Sequence, residues 1–205
     1  QVIERHIDIM SAKLQKNPDK SVLSVLMQSG QPIYNIYANV KLVISGGQNE
    51  PRDAIAGTAA ALLMHPVAYS HILNKKDWNQ AFMEYSRWMS PIGMSPRQMT
   101  RDCNVLGYDF QKDDRVFLMY GAANRDPSVF ENPGLYDVQR NTGLAIPFGA
   151  GPHFCAGAAA SKTLIAGVAL PKLFAAFPNM KLTAPVEWGG WAFRGPLAVH
   201  VKVGL

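Results

Sequence analysis

The 205-residue chain carries 20 Lys and Arg against 15 Asp and Glu, a formal charge of +5, with 48% hydrophobic and 17% charged residues. This is ordinary globular composition and excludes a disordered or low-complexity chain; no interleaving of basic and aromatic residues points to nucleic acid. Two cysteines far apart make no disulfide framework, so a reducing cytoplasm is the expected compartment, and no uninterrupted apolar run of about 18 residues predicts a membrane span.

Gln1 to His6 reads as the inside of a helix and lacks a signal-peptide pattern. Ile3, Ile7, Met10 and Leu14 recur at helical spacing, predicting a helix over 2–16 that Asn17-Pro18 ends. A short helix is predicted over 21–27. A long one follows over 33–65, stopped by Pro66; at 1.5 Å per residue it would run roughly 50 Å. Within it Gly46 and Gly47 are poor helix residues, and Pro51 has no N–H for the carbonyl of Gly47, so one turn is weakened. A weakened turn frees a carbonyl and admits water or a small ligand; a kinked core helix without chemistry has the same pattern. Helices over 67–73 and 78–89 come next, the second stopped by Ser90-Pro91. Strands are predicted at 97–100, then at 103–108 and 115–119 around a polar turn at 111–114. Residues 126–154 are punctuated by Pro and Gly and predict a long irregular segment, a length that usually has a function. A small-residue apolar stretch from 156 to 176 reads as a helix, interrupted for membrane purposes by Lys162, Pro171 and Lys172. Short strands close the chain, the clearest at 197–203. No repeat or linker is visible, and one domain is predicted.

Between the irregular segment and that helix lies Pro147-Phe148-Gly149-Ala150-Gly151-Pro152-His153-Phe154-Cys155-Ala156-Gly157. Its glycines and prolines force a tight loop. Cys155 stands where loop meets helix N-terminus, where unpaired N–H groups and the helix dipole favour thiolate. A thiolate in such a loop suits a soft metal centre, haem iron included. Taken alone, a single Cys is also read as an inert buried small hydrophobe. A phosphate loop lacks its Gly-Lys-Ser/Thr, and a zinc site lacks a second Cys at ligand spacing, Cys103 being remote.

The loop resembles the haem-binding signature of the cytochrome P450 family, Phe-Gly-x-Gly-x-x-x-Cys-x-Gly, with Phe148, Gly149, Gly151, Cys155 and Gly157 in the defined positions. Glu84-Tyr85-Ser86-Arg87 resembles the family's Glu-x-x-Arg motif. The segment from Phe130 to Tyr136, with Arg140, is similar to the one whose arginine completes a triad with that pair. Gly46-Gly47-Gln48-Asn49-Glu50 resembles the oxygen-activating stretch of the central helix. The four motifs occur in the family's order. The resemblance implies a mainly α fold with small β-sheets, a partial cytochrome P450 fold from the long central helix to the C-terminus. Residues 1–205 would be the C-terminal portion of a single domain, its N-terminal half absent from this chain.

That resemblance implies a thiolate-ligated haem b on Cys155 and a monooxygenase acting on a hydrophobic small molecule with dioxygen. Electrons would come from a ferredoxin or flavoprotein docking near Arg101, Lys162 and Lys172, a use also suggested by the positive charge. Arg97 and His153 match positions that meet haem propionates, and Phe148 matches the aromatic that shields the sulfur. Glu84, Arg87 and Arg140 match a buried structural triad; without the resemblance, Glu84 and Arg87 read as a surface i,i+3 pair. Ile44, Gly47, Ile92, Gly93, Met94, Trp191 and Phe193 match positions facing the substrate, though apolar residues there also read as plain core. The sequence departs from the family at the acid–threonine pair. In one register Asn49 takes the acid's place and Glu50 the threonine's; in the other Glu50 is the acid and Pro51 takes the hydroxyl's place. Neither supplies Thr, and Glu50 is the expected proton carrier. A peroxide-driven or atypical haem-thiolate enzyme, and a non-catalytic haem sensor or carrier, stay open as alternatives.

Overall fold

The computed structural model describes residues 1–204, which form two compact units divided between Asn49 and Glu50. The first contains α1 (Val2–Lys16), α2 (Val22–Gln28) and α3 (Ile33–Gly46). α1 buries Ile7 and Leu14, one stripe of its helical repeat. Ser21 caps α2, its Oγ accepting the Ser24 N–H at 3.3 Å. Two side-chain pairs tie α1 to α3: Tyr37 donates to Asp8, and Lys41 to Glu4.

The single helix predicted over 33–65 is two helices. α3 ends at Gly46, Gly47 takes φ −96° and ψ 0°, and α4 (Asn49–Met64) begins afresh. The glycine pair makes continuation costly. A Cβ at Gly47 would stand 2.6 Å from the Val43 carbonyl oxygen, so this turn needs glycine. Pro51, third residue of α4, falls in a first turn, where its missing N–H has no helical partner to lose.

In the second unit α4 is buried on most sides, from Ala54 through Gly57 to Leu62. α5 (Pro66–Lys75) starts on a first-turn proline and ends at left-handed Lys76. α6 (Trp78–Met89) has the predicted bounds: Asp77 caps it, accepting the Gln80 N–H at 3.0 Å, and Ser90 closes it in the left-handed region.

The strands differ from expectation. β1 (Ser95–Gln98) pairs antiparallel with β4 (Arg115–Leu118), while β2 (Cys103–Val105) pairs with β3 (Tyr108–Phe110) around Leu106-Gly107. The predicted strand 103–108 is therefore a hairpin whose two turn residues both have positive φ, 53° and 87°. A short helix, α7 (Tyr120–Ala123), follows. After it comes the predicted irregular stretch, up to a 3₁₀ turn at Gly151–His153.

The helix predicted from 156 begins at Ala158, and α8 runs to Ala176. Pro171 does not break it. Its middle, Thr163–Ala169, widens to π geometry, the Leu170 N–H reaching back to Ile165 O, which absorbs the missing donor. This corrects the membrane expectation: among the described residues one helix, Ala158–Ala176, is long and apolar enough to cross, at mean hydropathy 1.2. Ile165, Ala166, Leu170 and Phe174 of α8 join the core that α4, α5 and α6 build. The predicted closing strand 197–203 is also two: β7 (Gly195–Ala198) pairs with β6 (Glu187–Gly189), and β8 (Val201–Lys202) with β5 (Lys181–Leu182).

Candidate functional site

Glu84 and Arg87 lie one turn apart on α6, facing inward. Both side chains are 0% exposed, so they are not the surface pair that spacing alone suggests. Glu84 Oε2 accepts from Arg87 Nε and Oε1 from Nη2, each at 2.7 Å. The other three N–H groups of Arg87 go to the carbonyls of Asn124, Pro133 and Leu135 at 2.9, 2.9 and 3.0 Å. All five guanidinium donors are thus used. Glu84 Oε1 also accepts the Asp137 N–H at 2.9 Å and Arg140 Nε at 3.3 Å. Arg140 in turn holds the carbonyls of Glu131 and Asn132, and Phe130 lies under the Arg87 guanidinium at 5.4 Å. The structure brings Glu84, Arg87 and Arg140 together, and they fasten the irregular segment to α6. Dense pairing is what makes a buried charge tolerable.

The link onward is Asn124, which sequence reasoning missed. It is fully buried; its Nδ2 donates to Ser90 Oγ at 2.9 Å and its Oδ1 accepts the Ile146 N–H at 2.7 Å. Ile146 O then accepts the Gly149 N–H at 3.0 Å, at the head of the cysteine loop. An Asn ending a short helical turn is the only signal in sequence, and it does not reveal burial. Trp88 and Arg125 were missed too: Trp88 Nε1 donates to Gly134 O at 2.7 Å, and Arg125 grips Trp88 O while lying over its ring at 5.8 Å. Burial, with the Arg194 and Arg87 charges, holds the Arg125 guanidinium below its ordinary range.

Gly149 and Gly151 take φ of 73° and 69°, a conformation that strains any side-chain-bearing residue. The Cys155 N–H donates to Phe148 O at 3.0 Å and the Ala158 N–H to Cys155 O at 3.2 Å, fixing the thiol just before α8. Cys155 is free and exposed. Gly157 passes close by: a Cβ there would stand 3.8 Å from Sγ. Phe148 packs edge-on to Phe82 of α6 at 6.2 Å and beside Phe154 at 6.4 Å. His153 is exposed, and Arg97 on β1 is half-buried with Nη1 on Ser95 Oγ and Pro96 O.

Of the predicted substrate positions, Ile92 bridges Phe193, and the Gly93 N–H donates to Ala192 O at 2.8 Å. Trp191 stands 6.1 Å from Phe117 and is 62% exposed, and Met94 follows in the same segment. Ile44, Gly47 and Asn49 belong to the first unit, where Ile44 and Asn49 are exposed. Glu50 is half-buried, its Oε2 shut from solvent with no hydrogen-bond partner. Arg101, Lys162 and Lys172 are exposed. A separate cleft of about 510 Å³ opens between the start of α5 and residues 131–140, lined by His65, His71 and Tyr136 among others.

The family model for cytochrome P450 matches residues 57–173, more than half of the chain and the stretch holding both the buried pair and the cysteine loop. The chain belongs to the cytochrome P450 family. It is 28% identical over 181 residues to a biotin biosynthesis cytochrome P450 of Bacillus subtilis, covering 86% of this chain and 45% of that one. It is 32% identical over 210 residues to the pulcherriminic acid synthase of the same organism, covering 90% and 50%. Among solved structures, P450BioI in complex with a hexadec-9Z-enoic acid ligated acyl carrier protein superposes with TM-score 0.89 at 25% identity, over 99% of this chain and 53% of that one. The cytochrome P450 PksS of the Bacillus subtilis bacillaene synthase gives 0.90 at 25%, over 98% and 55%. The chain spans about half the length of the P450 relatives it matches.

Membership implies a haem with thiolate ligation. The residues present fit one. Among the described residues no group of three His, Cys, Asp or Glu could hold a bare ion. The loop offers a single exposed thiol on a rigid, glycine-shaped turn. One protein ligand suits a metal that arrives with a macrocycle supplying the rest.

Proposed function

We propose that this chain is the haem-binding part of a cytoplasmic monooxygenase that hydroxylates a hydrophobic small organic molecule. The balanced reaction is R–H + O₂ + 2 e⁻ + 2 H⁺ → R–OH + H₂O. What supports the reading most is the exposed Cys155 thiol on a loop joined through Asn124 to the buried Glu84–Arg87 pair. When bound, the haem supplies oxygen activation, and its thiolate ligand favours O–O cleavage.

The chain's own residues have these roles. Cys155 gives the thiolate, and Phe148 keeps water from the sulfur. Gly149 and Gly157 keep the loop low enough for a flat macrocycle, and Arg97 and His153 offer cations to its carboxylates. Within the second unit Ile92, Gly93, Met94, Trp191 and Phe193 line the substrate side, apolar as a hydrophobic substrate requires. Glu50, beside Asn49, holds and moves the proton. A ferredoxin or flavoprotein docks near Arg101, Lys162 and Lys172. Residues 1–205 are read as the C-terminal portion of one P450 domain.

The test is the reduced carbon-monoxide difference spectrum of the full-length protein. A thiolate-type band, lost in Cys155→Ser, is expected. A colourless protein after haem supplementation, or unaltered ligation in the variant, overturns the reading. Product formed with a reductase and O₂ distinguishes an enzyme from a haem sensor or carrier.

A further inference from the structure

Two segments of the second unit carry its substrate-side residues: 91–94, after α6, and the turn 190–194 between β6 and β7. They are joined as a short ribbon. The Gly93 N–H donates to Ala192 O and the Arg194 N–H to Pro91 O, each at 2.8 Å, and Ile92 bridges Phe193. A third piece is tied on, the Gly121 N–H of α7 donating to Gly93 O at 2.9 Å. Successive side chains of an extended segment leave by opposite faces, so Arg194 projects away from the side that Phe193 takes.

The Arg194 side chain runs across the other two pieces. A Cβ at Gly93 would stand 2.8 Å from its Cδ and 3.5 Å from its Cγ, and one at Gly121 would stand 2.6 Å from its Nη1. Glycine at both positions keeps this path open: the stem lies over Gly93 and the head reaches Gly121. Arg194 is half-buried, and among the described residues its guanidinium pairs with no carboxylate. Ion pairing therefore does not fix it, and a long cationic side chain also acts through the packing of its stem. Gly93 and Gly121 have no side chains to keep the three pieces apart; Arg194 fills the space between them.

Resting on the reading of Ile92, Gly93, Met94, Trp191 and Phe193 as the substrate side, we propose that Arg194 is a positioning residue that sets specificity. Its stem is the strut that holds segment 91–94 against the turn 190–194 and fixes the width of the substrate side. It touches no substrate and acts through Ile92 and Phe193 on the opposite face. Without the stem, segment 91–94 settles back over Gly121, and a bulky occupant loses its fit.

The test uses the full-length haem-loaded protein and two ligands of ferric haem, imidazole and 4-phenylimidazole. Both bind iron through the same kind of ring nitrogen, and the phenyl group alone feels the walls, so the ratio of their affinities reads the substrate side without turnover. Arg194→Ala is expected to weaken 4-phenylimidazole relative to imidazole about 10-fold, because small misplacements by remote residues are costly. Arg194→Met keeps an unbranched stem without the charge and is expected to retain the wild-type ratio; a ratio like that of Arg194→Ala overturns the inference. Gly121→Ala presses a new methyl on the guanidinium and covers the case in which Arg194→Ala fails to load haem. It is expected to shift the ratio in the wild-type background and to shift it less beside Arg194→Met, as contacting residues couple; equal shifts overturn the inference. Ile92→Ala separates the two readings. A changed ratio there, with an unchanged one in Arg194→Ala, removes the strut and leaves the substrate side standing. An unchanged ratio in both removes the substrate-side reading and the strut with it.

Discussion

Arg87 concentrates more of this fold in one side chain than any neighbour does. Its five donors reach a carboxylate on its own helix and three carbonyls at positions 124, 133 and 135. Arg87→Ala strands Glu84 as an unpaired buried charge, and a loss of roughly 3–5 kcal/mol is expected. Urea unfolding measures it, and haem content should fall with it. Arg87→Lys should recover little, since an ammonium cannot span the fork. Arg140→Ala should cost less, because its Nε sits 3.3 Å from Glu84 and its side chain keeps 10% exposure. Equal losses for Arg87→Ala and Arg140→Ala would show that the pair is not the anchor. The sequence displayed Glu84 and Arg87 at i,i+3, but that spacing serves a surface pair equally well; burial comes from residues 124–140 folding over them.

At the scale of elements, the cysteine loop is held from both ends. Its own glycines set its shape, and Asn124 sets its place. Asn124→Ala leaves the half-buried Ile146 N–H without its acceptor, and a loss of about 1–3 kcal/mol is expected. Haem affinity should drop further than overall stability, because the freed segment leads directly into Gly149. Haem retention against apomyoglobin compares the two; a stability loss with unchanged retention would detach Asn124 from the loop. In α8, Pro171→Ala restores an N–H where the π segment has adjusted to its lack. Hydrogen exchange should then show added protection over residues 163–171, and unchanged protection would place the cause of the π geometry elsewhere.

For the molecule as a whole, two buried phenols link stability to alkaline pH. Burial chiefly, with the Asp53 charge, pushes Tyr85 up; burial chiefly, with the Glu84 charge and Tyr85, pushes Tyr136 up. Above about pH 10 the unfolded phenols ionise while the folded ones stay neutral. Stability is therefore flat below that pH in this respect and is lost above it, by up to about 1.4 kcal/mol per pH unit for each tyrosine. Tyr85→Phe should remove about half of this slope in urea midpoints taken from pH 9 to 12, and an unchanged slope would count against it. At neutral pH that substitution should cost little, because the Tyr85 hydroxyl has no hydrogen-bond partner. It packs instead on Gly57, where a Cβ would stand 1.9 Å from the hydroxyl oxygen, so Gly57→Ala is the damaging change.

The amino-acid order by itself settled what depends on near neighbours. It set the helices 2–16 and 78–89 through apolar period and stop residues, the cysteine loop through its glycines, and the family through motifs in order. It misjudged what depends on distant partners or on strain shared over several turns. The helix 33–65 is interrupted because two glycines leave the opened turn nothing to resist it. The strand at 103–108 splits because Leu106-Gly107 turns it back on itself, and the one at 197–203 because its two pieces pair with different strands elsewhere in the chain. Pro171 sits inside an unbroken helix because the seven residues Thr163–Ala169 before it widen together. Only the tertiary structure took Glu84, Arg87 and Asn124 out of water and left Glu50 without a partner, since burial is a property of what surrounds a side chain and not of its position in the sequence.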